Sequence, residues 1–160
     1  MKQKTRGLVI GKFAPLHKGH EFLINRAVRE MDKVVVLLYH APSFPISLSR
    51  RTSWIKELWP RVRVVQGRRT PGHGKGPRVR RLHEQYISRV CGRLGITHVY
   101  SSEAYGTRAA EILGAKHVMV DKERSHIPIS GVQIRKSPGR LRSYLSPHVA
   151  RDLHRAGLME

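Results

Sequence analysis

Two histidines three positions apart lie in a short glycine-containing stretch near the amino terminus. Residues 11–20 read Gly-Lys-Phe-Ala-Pro-Leu-His-Lys-Gly-His, between an apolar run and a segment whose apolar residues have helical spacing. His17 and His20 therefore belong to a turn from a strand into a helix, where unpaired N–H groups and the helix dipole attract phosphate. Gly11 and Gly19 allow the backbone to approach a ligand closely. The pattern predicts a nucleotide-binding turn, and solvated histidines in an ordinary turn are the alternative.

A second candidate phosphate site lies more than a hundred residues further along the chain. Ser130 and Gln133 have the spacing of a capping box, in which Ser130 caps the amino end of a helix. Arg135 falls in the second turn of that helix and adds a positive charge. The segment predicts a phosphate clamp, although an ordinary capped helix has the same pattern.

The two segments match the motifs of a known superfamily. Residues 11–20 have the pattern G-x-F-x-P-x-H-x-G-H and resemble the HxGH signature of the nucleotidylyltransferases, and residues 129–135 resemble their ISxTxIR motif. Within residues 8–135 the chain is similar to nicotinamide mononucleotide adenylyltransferases, especially the NadR-like branch. That narrower similarity depends on Ser101-Ser102-Glu103-x-Tyr105-Gly106, Val120-Asp121-x-x-Arg124 and Arg51-x-x-Trp54.

The resemblance implies an activity and assigns residues to it. It implies adenylyl transfer from ATP to nicotinamide mononucleotide, giving NAD and pyrophosphate, with Mg²⁺ brought by ATP and no metal ligands from the protein. His17, His20 and Arg135 would be catalytic, and Arg51, Trp54 and Tyr105 would bind the acceptor. Core packing of Trp54 is an equal alternative, because it shares helical spacing with apolar neighbours. The implied ATP contacts are Gly11, Lys12, Phe13, His17, Gly19, His20, Ser101, Asp121, Arg124, Ser130, Gly131 and Arg135.

The chain departs from the family pattern at two places. Val132 stands where the ISxTxIR motif has threonine, which removes a hydroxyl that could reach phosphate. The glycine-rich, basic segment from Arg68 to Arg81 replaces the Tyr/Pro/Trp-containing loop that the branch often carries. A different phosphorylated acceptor, or CTP in place of ATP, therefore stays open as an alternative function.

The elements that must hold these motifs alternate along the chain. Apolar runs predict strands at residues 8–10, 34–39, 62–65, 97–100 and 116–120. Helical spacing predicts helices from residue 21, over residues 47–59, 82–94 and 107–113, and from Ser130 and Ser146. We expect an α/β fold, a Rossmann-like open parallel sheet with helices on both faces and C-terminal helices. The loops after Ile10, Tyr39, Tyr100 and Val120 would share the edge where ligands bind.

Composition limits the class of protein. The 160 residues fit one domain, residues 1–160, and 31 Lys+Arg against 11 Asp+Glu give a formal charge of +20, which attracts polyanions. A basic nucleic-acid-binding protein on this scaffold is a second alternative, which we do not favour because no aromatic stacking platform accompanies the charge. Ten of the basic residues, with Glu84 as the sole acid among them, are Arg61, Arg63, Arg68, Arg69, Lys75, Arg78, Arg80, Arg81, Arg89 and Arg93.

The cysteine content, the spacing of the histidines and the lack of long apolar segments argue against a disulfide, a zinc site and a membrane segment. Cys91 is the single cysteine, so an intramolecular disulfide is excluded. The first apolar run is too short for a signal peptide and no segment has membrane-spanning length, so we expect a cytoplasmic protein with no membrane contact. His40, His73 and His98 lack the spacing of zinc ligands. Residues 67–77 predict a mobile loop, and a homo-oligomer stays open.

Overall fold

The fold is built on a parallel sheet. The computed structural model describes residues 2–72 and 74–160, so His73 lies outside the described residues. Five strands pair in the order β3-β2-β1-β4-β5, and every pair is parallel. The strands are β1 (Arg6–Gly11), β2 (Lys33–Tyr39), β3 (Arg63–Gly67), β4 (His98–Ser101) and β5 (Lys116–Met119).

A helix follows each of the first four strands, and two more helices complete the chain. The crossover helices are α1 (Lys18–Glu30), α2 (Leu48–Leu58), α3 (Pro77–Cys91) and α4 (Tyr105–Leu113). The later helices are α5 (Gly131–Lys136) and α6 (Pro147–Arg155), with a 3₁₀ turn at Arg142–Tyr144 between them. This architecture confirms the predicted Rossmann-like α/β class with C-terminal helices. No helix among the described residues is long and apolar enough to cross a bilayer.

Helices cover both faces of the sheet. On one face, Ile24 of α1, Ile55 of α2 and Leu153 of α6 join a core cluster with alternate residues of the central strands. On the other face, Ile87 of α3 and Ala110 of α4 pack against the remaining strand residues. Strands β1 and β2 are therefore buried on both sides, which explains their continuous apolar sequences.

Helix α3 differs most from its predicted bounds of residues 82–94. It begins at Pro77, because proline suits the first turn of a helix and Gly76, with φ 140°, ends the preceding loop. It ends at Cys91 with Gly92 as its cap. The first residues of α3, predicted to belong to a loop, are therefore helical and lie near the carboxyl edge of the sheet.

The loop before α3 is tied to that helix at two points. The Tyr86 hydroxyl donates to the carbonyl of Arg68 at 3.0 Å, and His83 Nε2 lies 3.3 Å from the carbonyl oxygen of Gly72. Side chains of α3 thus contact the segment predicted to be mobile at Arg68 and at Gly72.

Candidate nucleotide-binding site

A cleft of about 840 Å³ opens at the carboxyl edge of the sheet. Its walls come from the β1–α1 turn, the helices α3 and α4, and the segment between β5 and α5. Residues distant in sequence therefore meet at the edge where parallel sheets bind ligands. The predicted site residues that line it are Gly11, Lys12, Phe13, His17, Gly19, His20, Tyr105, Asp121, Arg124, Ser130, Gly131 and Arg135.

The two histidines of the turn form a capping box at the start of α1. His17 is the N-cap, and its Nδ1 accepts the Gly19 N–H at 3.1 Å. The His17 N–H donates in turn to His20 Nδ1 at 3.3 Å. Because each Nδ1 accepts a hydrogen bond, the ring proton of each neutral imidazole lies on Nε2. The turn therefore offers two Nε2–H donors from rings that stack 3.7 Å apart.

Both imidazoles are neutral near pH 7. Burial lowers the pKa of His17 to about 4, and the positive charges of Arg124 and Arg135 add to this effect. Burial also holds the pKa of His20 well below its ordinary value, with contributions from His17 and Arg124. The pair therefore acts as neutral hydrogen-bond donors, and the two arginines carry the positive charge.

Phe13 and the two glycines support the histidines. Phe13 has φ 47° and a buried ring that meets the His20 ring edge-on at 4.6 Å. A Cβ on Gly11 would lie 3.2 Å from the Phe13 ring, and one on Gly19 would lie 2.9 Å from the His17 ring. A side chain at Gly19 would therefore displace the His17 ring, and one at Gly11 would crowd the Phe13 ring.

The predicted capping box at α5 is confirmed. The Ser130 hydroxyl accepts the Gln133 N–H at 3.3 Å, and Gln133 Oε1 accepts the Ser130 N–H at 2.9 Å. Arg135 donates from one guanidinium nitrogen to the carbonyl of Ala14 at 2.7 Å. This bond ties α5 to the histidine turn and holds the Arg135 charge beside it. Val132 lines the same cleft and is 52% exposed.

The loop after β5 positions Arg124 close enough to the histidines for its charge to act on both of them. The Asp121 carboxylate accepts backbone N–H groups of Ser125 at 2.8 Å and of Ile127 at 3.0 Å. Desolvation raises the pKa of Asp121, but the backbone donors of Ile127 and His126 outweigh it and lower that pKa. Arg124 donates to the carbonyl of Ile129 at 2.7 Å. Asp121 therefore organises the loop, and Arg124 supplies its charge to the cleft.

Two known proteins resemble this chain in sequence. The chain is 30% identical over 165 aligned positions to the trifunctional NAD biosynthesis/regulator protein NadR of Salmonella typhimurium, and 28% identical to that of Escherichia coli. The alignments cover 92% of this chain but 40% of those relatives, so the chain spans about two fifths of their length. No protein-family model matches.

Solved structures show the same fold. A NadR protein crystallised with NAD and AMP-PNP superposes with a TM-score of 0.61 at 19% identity, covering 89% of this chain and 44% of that one. A bifunctional NMN adenylyltransferase/ADP ribose pyrophosphatase from Francisella tularensis, bound to AMP and a manganese ion, gives 0.65 at 16% identity. It covers 96% of this chain and 49% of that one. The chain resembles the nucleotidylyltransferases in sequence and fold.

Two of the residues predicted to bind the acceptor are buried. Trp54 is 1% exposed, and its indole N–H donates to Asp152 of α6 at 2.7 Å. Arg51 is equally buried and donates to the carbonyls of Tyr39 at 2.9 Å and Ile46 at 3.2 Å. Neither side chain lines the cleft. Trp54 is a core residue, which was the alternative, and Arg51 holds backbone segments beneath the cleft.

Ser101 also lies outside the cleft. Its hydroxyl donates to the carbonyl of Glu103 at 2.8 Å and lies 2.8 Å from His117 Nε2. A Cβ on Gly106 would lie 2.0 Å from that hydroxyl oxygen, so the turn into α4 closes tightly over it. The contacts of Ser101, predicted to bind ATP, are thus with this turn and with β5. Tyr105 does line the cleft, and its hydroxyl donates to the carbonyl of Ile10 at 2.7 Å.

One wall of the cleft was missed by sequence reasoning. It consists of Lys75, Val79, Arg80 and His83, which we call the α3 wall. The His83 ring lies parallel to Tyr39 of β2, with ring centroids 5.9 Å apart and an interplanar angle of 8°. Once α3 is begun at Pro77, positions 79, 80 and 83 fall on one helix face, and that spacing is the signal that could have found the wall.

Proposed function

We propose that this protein transfers the adenylyl group of ATP to the phosphate of a pyridine mononucleotide, with nicotinamide mononucleotide as the reference acceptor. The observation that carries the proposal is the pair of neutral Nε2–H donors, His17 and His20, in a cleft also lined by Arg124 and Arg135. The relatives named for NAD biosynthesis support the same reaction, as does the solved NadR protein that holds NAD and an ATP analogue.

The reaction suits hydrogen-bond donors that keep the same protonation state throughout. A phosphate oxygen of the acceptor is already ionised near pH 7, so it attacks the α-phosphorus without a general base. The bond from the α-phosphorus to the bridging oxygen breaks, and pyrophosphate leaves with the negative charge. Nε2–H donors of His17 and His20 would stabilise charge developing at the α-phosphate, while Arg124 and Arg135 bind the leaving phosphates. Catalysis would thus come from positioning and electrostatic stabilisation.

Lys12 supplies a further positive charge to the lining of the cleft. Burial, followed by the charges of Arg135 and Arg51, lowers the pKa of Lys12 from its ordinary value. A bound triphosphate would offset these effects and favour the ammonium form. We assign Lys12 to the triphosphate.

Magnesium would enter with the nucleotide as MgATP. Within residues 2–72 and 74–160, histidines, cysteines and acids form no group of three or more that could hold a metal ion. The Asp121 carboxylate, which lines the cleft, is already engaged by backbone N–H groups. We therefore assign the metal's ligands to phosphate oxygens and water, and treat the ion as part of the substrate.

Pyrophosphate release tests the proposal. Purified protein is incubated with MgATP or MgCTP and a panel of phosphorylated acceptors, and products are separated by chromatography. We expect NAD from ATP and nicotinamide mononucleotide, and a His20→Ala variant slower by about a hundredfold to a thousandfold. Turnover only of acceptors other than pyridine mononucleotides, or of CTP alone, would replace this function with the first alternative.

The nucleic-acid alternative predicts a different result. Polynucleotide binding would fall steeply with salt and would survive the double substitution His17→Ala/His20→Ala. If no acceptor leads to pyrophosphate release and the double variant still binds polynucleotide, the protein is better described as a nucleic-acid-binding protein on this scaffold.

A further inference from the structure

The α3 wall faces the phosphate-binding residues across the cleft. Helix α1 packs on one face of the sheet with α5, while α3 and α4 cover the other face. The cleft at the sheet edge therefore has the histidine turn on one side and the α3 wall on the other. If the triphosphate binds at the histidine turn, the part of the acceptor far from its phosphate lies against the α3 wall.

The α3 wall is held in place by contacts beneath it. His83 stacks on Tyr39, and Tyr86 meets Tyr39 edge-on with ring centroids 5.6 Å apart. The same two α3 residues contact the carbonyls of Gly72 and Arg68 in the preceding loop. These contacts position α3, and with it Arg80, relative to the cleft.

The wall carries positive charge that the described residues do not neutralise. Across residues 2–72 and 74–160, neither the Lys75 ammonium nor the Arg80 guanidinium has an ion-pair or hydrogen-bond partner, although both residues line the cleft. The acid nearest in sequence, Glu84, also lines the cleft and is paired with Arg108 at 2.7 Å. The two cations therefore face the cleft with no acidic partner on their own wall.

We propose that Lys75 and Arg80 form a subsite for a second anionic group of the acceptor, in addition to the phosphate that attacks ATP. The proposal rests on the proposed function, because it assumes an acceptor seated between the histidine turn and the α3 wall. A pyridinium ring with a neutral amide would bring its positive charge toward both cations. A carboxylate on the ring cancels that charge and pairs with the wall, so the favoured acceptor is the acid form of the mononucleotide.

Two acceptors that differ in one group test the subsite. Nicotinic acid mononucleotide and nicotinamide mononucleotide are compared by kcat/KM at saturating MgATP. Each exposed cation near 4 Å contributes about 1 kcal/mol, or roughly fivefold, so two cations should favour the acid by about twenty-five-fold. Arg80→Gln or Lys75→Gln should each lower the ratio of acid to amide by roughly fivefold, and 0.5 M salt should also lower it. Arg78→Gln is the matched control, since Arg78 is exposed on the same helix and does not line the cleft.

The outcomes separate this inference from the proposed function. Equal use of the two acceptors, or an equal shift of the ratio in the Arg78 control, would overturn the subsite while leaving adenylyl transfer intact. If neither acceptor is adenylylated, the proposed function fails, and calorimetric binding of both mononucleotides with a non-hydrolysable ATP analogue decides the subsite. Tighter binding of the acid that is lost in Arg80→Gln supports it, and equal or absent binding of both overturns it.

Discussion

Replacing His17 with asparagine separates the two tasks that the structure assigns to this imidazole. Its Nδ1 caps α1 by accepting the Gly19 N–H, and its Nε2–H faces the proposed phosphate site. Asparagine is among the best N-cap residues, and its amide oxygen can occupy the place of Nδ1. It provides no donor at the place of Nε2. The variant therefore keeps the cap and loses the proposed catalytic group.

The expected magnitudes follow from those contacts. In His17→Ala the lost cap costs about 1 kcal/mol, and truncation of a side chain that is 2% exposed costs about 1 kcal/mol or more. For a chain of this size the two losses lower Tm by about 4–8 °C. His17→Asn should stay within about 2 °C of the parent protein. Both variants should lose turnover by about a hundredfold to a thousandfold, because both lack the Nε2–H donor.

Thermal unfolding followed by circular dichroism measures the first effect, and pyrophosphate release at saturating MgATP and acceptor measures the second. Turnover of His17→Asn within fivefold of the parent protein would refute the donor role of His17. A His17→Asn protein as unstable as His17→Ala would instead refute the capping role, whatever its turnover.

Three other perturbations test separate parts of the structure. Trp54→Phe removes the indole donor to Asp152, so we expect the free energy of unfolding in urea to fall by about 1–3 kcal/mol. KM should stay unchanged for both substrates. A raised KM for the acceptor with unchanged stability would instead support the acceptor-binding role of Trp54. Val132→Thr adds a hydroxyl at the cleft and should lower KM for ATP by about twofold to tenfold, whereas Val132→Ala gives no such gain. Stability should decrease as pH falls from 6.5 to about 4, because the unfolded chain then protonates His17 while the native imidazole stays neutral. The contribution of His17 amounts to at most about 3 kcal/mol. The loss should therefore be smaller in His17→Asn, in which buried His20 still contributes with the same sign, and an equal loss in that variant would contradict the prediction.

Features that depend on local sequence could be predicted. The alternation of apolar runs and helical spacing predicted the strands and the order in which helices follow them, and the structure confirms the α/β class. The capping box of Ser130 and Gln133 was also predictable, because a cap depends on residues three positions apart. The position of the histidine turn followed in the same way from a strand directly before it and a helix directly after it.

The burial of a side chain by a distant segment of the chain could not be predicted from the sequence. The spacing of Trp54 showed that it lies on an apolar face of α2, but α6 covers that face through Asp152, which is 98 residues away. Ser101 is closed off by the turn into α4 in the same manner. The α3 wall was not predicted because strong apolar spacing starts only at residue 82, after the first residues of α3.

The amino-acid sequence alone determined the histidine turn, the capped start of α5 and the strand-helix alternation, since each depends on bonds and periodicity within a few residues. Only the tertiary structure decided that both imidazoles present Nε2–H, that Trp54 and Arg51 lie beneath the cleft, and that Lys75 and Arg80 face it. The reason is physical: burial and hydrogen-bond partners are set by segments brought together from distant parts of the chain, and neither is encoded by the spacing of one segment.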